Sequence, residues 1–553
     1  MRSTTPTSFS SRVTTMSAPN ASWKSTMAKA VVSASRLLPS SDGALTFPPV
    51  RKAGGLLFKQ VENALMTLRQ PILSRRSIVG GMLAAVPLLA APRGWANGPQ
   101  TVDVVVVGAG LAGLNAAAML EEQGLVVQVV EASDRVGGRL RTGRAEGYQA
   151  ELGGSEVGAL YGRVRDACAR LNVGLTTKGA KGTDFLIHVD GTSVLPADWS
   201  KSAVNQTRGK ERDFLPYILQ NRLMHDWLPF KQTNAWLLPE NLQFDISAAE
   251  LMRSKGVSEA AIRLADIDLN GASLEGVSAL SIFRDMARAQ VEGFKDPNKP
   301  QYGGASLASD RSYIVGGADM LPRAMAAALK LPVRLNSPVI AVDQTGDQVK
   351  TLLGNGDVLT SRFMVMAAPF SAVSRIRFTP GLPDAQADAI AGARYSATTQ
   401  FHFKINKPYW EKDGLPPSIW SNTSFERAFA LKHPETGAID SMIVWVNGDG
   451  ATRWDDRDTA RQVELVLAEL TRIRPSMAGA LEYKVGYSWG RNPFVGGNKH
   501  FYAPGQVKRF AADMGKPAGR IHFAGEHLRR LEHGMESAME TGEAAALEIM
   551  EKI

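Results

Sequence analysis

A single cysteine, Cys168, stands in 553 residues. It excludes an internal disulfide, argues against a cysteine-based metal cluster, and leaves the redox compartment unmarked. HExxH, paired Cys/His and clustered carboxylate patterns are also missing, so no metal is expected. The apolar runs are too short or too broken for a transmembrane helix. Acids are scarce at one end. Residues 1–95 hold 12 Lys and Arg against only Asp42 and Glu62. That segment carries +10 of a whole-chain charge of +9, which leaves −1 for the rest. The basic excess belongs to the leading segment, and the body has no surplus with which to hold a nucleic acid.

What is present is globular: 44% hydrophobic and 21% charged residues, in a chain long enough for two sizeable domains or one two-lobed one. Its organising stretch is 101–131. Val102 to Val107 is an apolar β-branched run, broken only by Asp103, as suits a strand buried on both faces of a parallel sheet. Gly108, Gly110 and Gly113 follow in G-x-G-x-x-G spacing. Leu114 to Gln123 reads as a helix, Gly124 as its stop and Leu125 to Val130 as a second strand. The first glycine allows a tight turn, the second a close pyrophosphate and the third close helix–strand packing. The intervening Leu111 and Ala112 open the helix whose N-terminus would hold the anion. Glu131 lies 23 residues after Gly108, where an acid accepts hydrogen bonds from a ribose. Ala132 is next to it.

The spacing alone leaves NAD and FAD open. Arg135-Val136-Gly137-Gly138-Arg139-Leu140-Arg141-Thr142 and Glu151-Leu152-Gly153-Gly154-Ser155 add Gly pairs beside arginines, read as close backbone approaches and fixed cations near a phosphate-bearing ligand. With these the chain resembles the flavin-dependent amine oxidase family, which includes monoamine, polyamine and L-amino acid oxidases. The resemblance covers about 100–553. It implies an α/β fold in two lobes: a Rossmann-type FAD-binding domain built from discontinuous segments, and an α+β substrate domain. The expected parts are 100–160, 311–375 and 496–553 for the FAD domain, and 161–310 and 376–495 for the substrate domain. Expected FAD contacts are Gly108, Gly110, Leu111, Ala112, Gly113, Glu131, Ala132, Arg135, Gly138, Arg139, Leu152, Gly153, Gly154, Ser155, Val339, Ala368, Gly525, Glu526, Gly534, Met535 and Ala538. The last five come from the C-terminal segments Ile521 to His527 and Gly534 to Gly542, where a helix from about Met535 would point its N-terminus at the flavin.

Between these ends, Phe185 to Val189 reads as a strand before the turn Asp190-Gly191. Residues 205–295 read as mostly helical. Gly316-Gly317 precedes a helix, and Leu331 to Ile340 reads as a strand. Gly354-Asn355-Gly356-Asp357 is a hairpin turn. Phe363 to Pro369 resembles the family's strand that ends at the FAD.

On the substrate side, the lysine that the family uses to hold a water near the flavin is replaced by Gln400, a neutral hydrogen-bonding group. His402 shares its strand face and is a candidate base or donor, with a buried structural histidine as the competing reading. Trp489 belongs to a segment that resembles the family's Trp and Gly-Gly stretch. After Gly496-Gly497 come Asn498 and Lys499, where monoamine oxidases carry a flavin-linking cysteine and a cage tyrosine. The FAD is therefore expected to be non-covalent, and a simple cationic amine between two tyrosines is put in doubt. The catalytic candidates are Gln400, His402, Lys499 and Trp489. His225 and Asp226, beside Trp227, read as packed residues.

The expected reaction is FAD-dependent oxidation of a C–N bond of an amine or amino acid to an imine, with electrons passed to oxygen. The alternatives are a flavin dehydrogenase, desaturase or isomerase with another acceptor, and a flavin-binding module without turnover. A homodimer is a candidate assembly. Ser74-Arg75-Arg76-Ser77, the apolar stretch to Ala91 and the small residues near Ala96 form a signal of twin-arginine type over 66–96, implying a periplasmic or secreted protein. Residues 1–65 are Ser/Thr-rich and are expected to be disordered. They read either as sequence ahead of a true start at Met66, or as a transit peptide leading to a plastid lumen.

Overall fold

The computed structural model describes residues 100–269, 271–293 and 311–553. The expected signal over 66–96 and the extension before it lie outside the described residues. In chain order the elements that frame the site begin with β1 (Gln100–Val107), α1 (Leu111–Glu122), β2 (Val127–Val130), α2 (Gly162–Arg170), β3 (Phe185–Val189) and α3 (Ala279–Val291). Next come β4 (Val339–Asp343), β5 (Val349–Leu353), β6 (Val358–Met366), β7 (Arg377–Thr379), β8 (Thr398–Ile405), β9 (Ser418–Ser421) and β10 (Arg427–Lys432). β11 (Ile439–Asn447), α4 (Thr459–Ile473), β12 (Leu481–Ser488), β13 (Ile521–Phe523) and α5 (Gly534–Met550) complete them. Among the described residues no helix is long and apolar enough to cross a membrane.

The first sheet runs β7-β4-β5-β6-β1-β2, with β13 also paired to β6. β1 is parallel to both β6 and β2. Val104, Val105 and Val106 are fully buried, as a strand covered on both faces requires. The βαβ unit differs from its sequence reading at one joint. Gly124, at φ 85, closes α1, and the Leu125 amide still donates to the Leu120 carbonyl. This reverse-turn closure keeps Leu125 with the helix, so β2 starts at Val127.

Two further expectations change. Residues 331–338 are not strand, and β4 begins at Val339. Pro332 and Pro338 have no N–H to give a ladder, and Asn336 sits at φ 52. The expected boundaries at 160/161 and 375/376 also shift. α2 shares a core with β1, α1 and α5 through Val164, Ala167 and Cys168, and β7 pairs with β4. Both segments therefore join the first lobe, not the second.

The second sheet runs β12-β8-β11-β10-β9-β3 and adds two short strands to make eight. Side chains of β8 divide between its two faces. Phe401, Phe403 and Ile405 enter a core shared with Val466 and Leu470 of α4. Gln400, His402 and Lys404 point the other way, into a cavity. The register puts Gln400 beside Tyr487 and Trp445, and Trp445 beside Arg427, in one row across four strands. His402, Ile443 and Phe429 form the next row.

Candidate active site

A single cavity of about 1380 Å³ draws its walls from both sheets, from α3 and from the starts of α1 and α5. It exceeds the roughly 300–1,000 Å³ of ordinary small-molecule sites, which leaves room for a dinucleotide and a second small molecule.

One part of the wall is the G-x-G-x-x-G turn. Gly110 is the N-cap of α1 and offers no side chain to the free helix N–H groups. A Cβ added there would meet nothing within 4 Å, so the backbone faces open space of the kind a pyrophosphate fills. Gly113 is different. A Cβ there would stand 2.0 Å from the Gly108 carbonyl oxygen, and the residue does not line the cavity. It is needed for helix–strand contact and is not a ligand contact. Glu131 uses both oxygens to organise this part: the Ala109 amide donates to Oε2 at 2.8 Å, and the Ser133 amide and hydroxyl donate to Oε1 at 2.9 and 2.7 Å.

The expected contacts Gly108, Leu111, Ala112, Ala132, Gly138, Gly153, Gly154, Ser155, Val339 and Ala368 all line the cavity. Leu152 does not. It is buried, and its carbonyl accepts the Trp489 indole N–H at 2.6 Å. Arg135 lines the cavity but is not a free cation for phosphate. Its guanidinium donates to the carbonyls of Val136, Gly138 and Leu140, which shapes the Gly137-Gly138 turn.

Another part of the wall is the start of α5. Gly534, Met535 and Ala538 line the cavity with Gly525 and Glu526. Nothing caps this helix from a side chain, so a second set of helix N–H groups faces the same space. Arg139 Nη1 donates to Glu526 Oε2 at 2.7 Å and to the Asn498 carbonyl at 3.2 Å. Burial works to raise the Glu526 carboxyl, but Arg139 outweighs it and holds the group below its ordinary value.

The four catalytic candidates share this cavity. Gln400, His402, Trp489 and Lys499 all line the cavity. His402 Nε2 lies 3.0 Å from Gln400 Oε1. Burial pushes the His402 imidazole down to about 3, so the ring is neutral and is not a proton store at ordinary pH. Lys499 is ion-paired with Asp285 of α3. His225 and Asp226 pair with each other at 3.1 Å and do not line the cavity.

Sequence reasoning missed Asp285 of α3 and Glu292 at its C-cap, and Arg427 and Trp445 from the second sheet, all of which line the cavity. Asp285 is 214 positions from Lys499, and no local pattern announces such a pair. Arg427 and Trp445 had a usable signal, because strand alternation puts each on a fixed face once one neighbour is placed.

The residues fit FAD on two observations: an open glycine cradle at one helix start, and a second helix start without a side-chain cap lining the same cavity. Among curated proteins the chain is 25% identical to an L-amino-acid oxidase of Demansia vestigiata over 469 residues, covering 81% of this chain and 86% of the relative. It is 28% identical to an L-amino-acid oxidase of Mus musculus over 471 residues, covering 81% and 70%. Its fold is similar to that of wild-type putrescine oxidase bound to putrescine, with a TM-score of 0.66 at 21% identity, over 82% of this chain and 100% of that one. It is likewise similar to cyclohexylamine oxidase from Brevibacterium oxydans IH-35A, with a TM-score of 0.66 at 23% identity, over 82% and 99%. The family described as flavin containing amine oxidoreductase matches residues 111–550, four-fifths of the sequence, and the chain belongs to that family.

Proposed function

We propose that this protein oxidises the C–N bond of an amine or amino acid to an imine, which water then hydrolyses, with the electrons passed to oxygen. The observation that carries the reading is one cavity lined by two helix starts without side-chain caps and by Gln400, Trp489 and Lys499. FAD supplies the two-electron acceptor. The glycine turn and α1 would hold its pyrophosphate, Glu131 its ribose, and α5 the edge of the ring system where negative charge gathers.

The protein's own part is to bind, orient and dry the substrate. The hydride donor is the neutral amine, and the buried Phe429 and Trp489 with Ile443 and Trp445 disfavour its charged form. Neutral His402 donating from Nε2 fixes the Gln400 carbonyl oxygen and leaves the Gln400 NH2 for a water or the substrate.

Non-covalent FAD is supported by Asn498 after the Gly-Gly pair and by the place of the sole cysteine. Cys168 is buried in α2, and burial pushes its thiol up to about 11. Acid precipitation of purified protein should release all of its flavin as FAD. Flavin retained by the pellet contradicts non-covalent binding, and a folded preparation with no flavin contradicts the whole reading.

We also propose export through the twin-arginine route, on the strength of Arg75-Arg76 and the apolar stretch after them. N-terminal sequencing of the mature protein tests it, with a start near Asn97 expected.

A further inference from the structure

Among the described residues three histidines stand within ion-pair distance of a carboxylate. His225–Asp226 and His522–Glu548 lie outside the cavity. The third pair is in its wall. His533 Nε2 is 3.4 Å from Glu292 Oε2, and both residues line the cavity. They come from distant parts of the chain, Glu292 as the C-cap of α3 and His533 as the N-cap of α5. Gly158 makes room for the carboxylate, since a Cβ there would stand 2.8 Å from Glu292 Oε1. The Tyr161 ring packs edge-on against the His533 imidazole at 5.6 Å.

The other acids of the cavity are engaged or lie outward. Glu131 and Glu151 receive backbone amides and hydroxyls. Glu156, Asp285 and Glu526 are ion-paired with Arg311, Lys499 and Arg139. Asp134 is exposed, and Asp440 lies at the outer end of β11 beside the exposed residues 434–438. Two further histidines of the cavity serve neighbours: His402 pairs with Gln400, and His433 accepts the amides of Glu435 and Thr436. Glu292 is different. Arg288 comes within 3.3 Å of its Oε1, but that guanidinium gives Nε and Nη2 to Glu532 at 2.9 and 2.5 Å. Glu292 Oε1 is buried and receives no hydrogen bond from the described residues.

A buried carboxylate without donors gains more from a proton than one held by amides or a guanidinium. Burial raises the Glu292 carboxyl above its ordinary value against the pull of Arg288, and Glu532 adds to the rise. His533 goes the other way. Burial, with Arg529, Arg288, Lys499 and Arg311 around it, holds the ring well below its ordinary value. It is therefore neutral, and with its proton on Nε2 it faces Glu292 as a donor without fixing the charge of the acid.

We propose that Glu292 is the proton acceptor of the active site, positioned by His533. The proposal rests on the flavin reading above and deepens it. An amine in water is mostly an ammonium, and its C–N bond is oxidised only once the nitrogen lone pair is free. In the proposed step one N–H bond of the ammonium breaks, its electron pair stays on nitrogen, and the proton goes to the Glu292 carboxylate. Two opposite charges become a neutral amine and a neutral acid, the direction that an apolar wall favours.

Infrared difference spectroscopy of the FAD-loaded protein across a pH titration reads Glu292 without turnover. A carbonyl band of a protonated carboxyl should titrate above the ordinary glutamate range, vanish in Glu292→Gln and move in His533→Leu. Anaerobic stopped-flow reduction with benzylamine, cyclohexylamine, putrescine and phenylalanine then reads the role. Every one of these that bleaches the flavin should be faster as pH rises through the midpoint of that band, whatever its own basicity. Glu292→Gln should slow reduction at least about a hundredfold at pH 7, and less than about threefold once the pH exceeds the amine's own pKa and solution supplies the neutral form.

A rise in rate that follows the basicity of each amine, or a Glu292→Gln deficit of the same size at every pH, overturns the proposal. So does a carboxyl spectrum that Glu292→Gln leaves unchanged. The wild-type rate profile needs no variant, so a substituted protein that fails to fold leaves the test standing. A flavin that none of the four compounds reduces counts against the flavin reading, and the infrared titration still decides the state of Glu292.

Discussion

His402 Nε2 and Gln400 Oε1 lie 3.0 Å apart on one face of β8, and both side chains are almost fully buried in the wall of the cavity. The pair is a positioning device built from neutral groups. Because His402 is held near 3 by burial, it should contribute no inflection to the kcat profile between pH 5 and 9. His402→Gln, which keeps a donor near Gln400, should retain most activity. His402→Leu should lower kcat severalfold without shifting any kinetic pKa. A His402-dependent inflection near pH 6–7 would contradict the assignment.

The same burial has a stability consequence. An unfolded histidine takes up its proton near about pH 6.5, while folded His402 refuses it until about 3. Stability contributed by the neutral ring is therefore complete above pH 6.5 and is lost as pH falls through that window. His500, His527 and His533, all pushed well below their ordinary value by burial, add to the effect. Asp268 and Glu426, raised to about 6 and about 7 by burial, act in the opposite sense. The assignment is thus made by difference: His402→Leu should flatten the fall in Tm between pH 7 and 4 relative to wild type.

Gly110 and Gly113 should separate cofactor binding from folding. Gly110 has an ordinary φ of −80 and open space beyond it, so Gly110→Ala should fold and lose affinity for FAD. Gly113→Ala puts a methyl 2.0 Å from the Gly108 carbonyl and should lose soluble, folded protein altogether. Circular dichroism with flavin content reads both. Equal behaviour of the two variants contradicts the division of roles.

Arg139→Met leaves Glu526 buried without its cation. Removing one member of such a pair costs about 3–5 kcal/mol, so Tm should drop sharply and flavin should be lost on dilution. Arg139→Met with Glu526→Gln should recover much of the stability but not the flavin retention. Full recovery of both would show that the pair serves packing alone.

Trp489 donates its indole N–H to the buried Leu152 carbonyl at 2.6 Å. Trp489→Phe leaves that oxygen unpaired and should cost about 1–3 kcal/mol, seen as a lower denaturation midpoint with unchanged slope.

Much of this architecture was legible in the residues. The run of valines before Gly108 suits a strand covered on both faces, and the helix and second strand that follow the glycine turn imply its parallel pairing with β2. The turn at Gly354 to Asp357 and the shared face of Gln400 and His402 needed only local rules. What stayed hidden depended on distance or on competition. Leu331 to Ile340 has strand-forming side chains, but its prolines withhold the N–H groups a ladder needs. Leu152 sits inside a Gly-rich motif and yet serves Trp489, 337 positions away. The ion pair of Lys499 with Asp285 joins a short strand, Lys499–Phe501, to a helix, and neither end carries a pattern that names the other.

The most direct measurement is anaerobic mixing of the purified FAD-loaded protein with a panel of amines and amino acids while following flavin absorbance, and then admitting air. The account predicts bleaching by one class of C–N compound and recovery in air with stoichiometric peroxide. Bleaching that does not recover in air would move the protein to a dehydrogenase with another acceptor. A bound flavin that no amine or amino acid reduces would contradict the account.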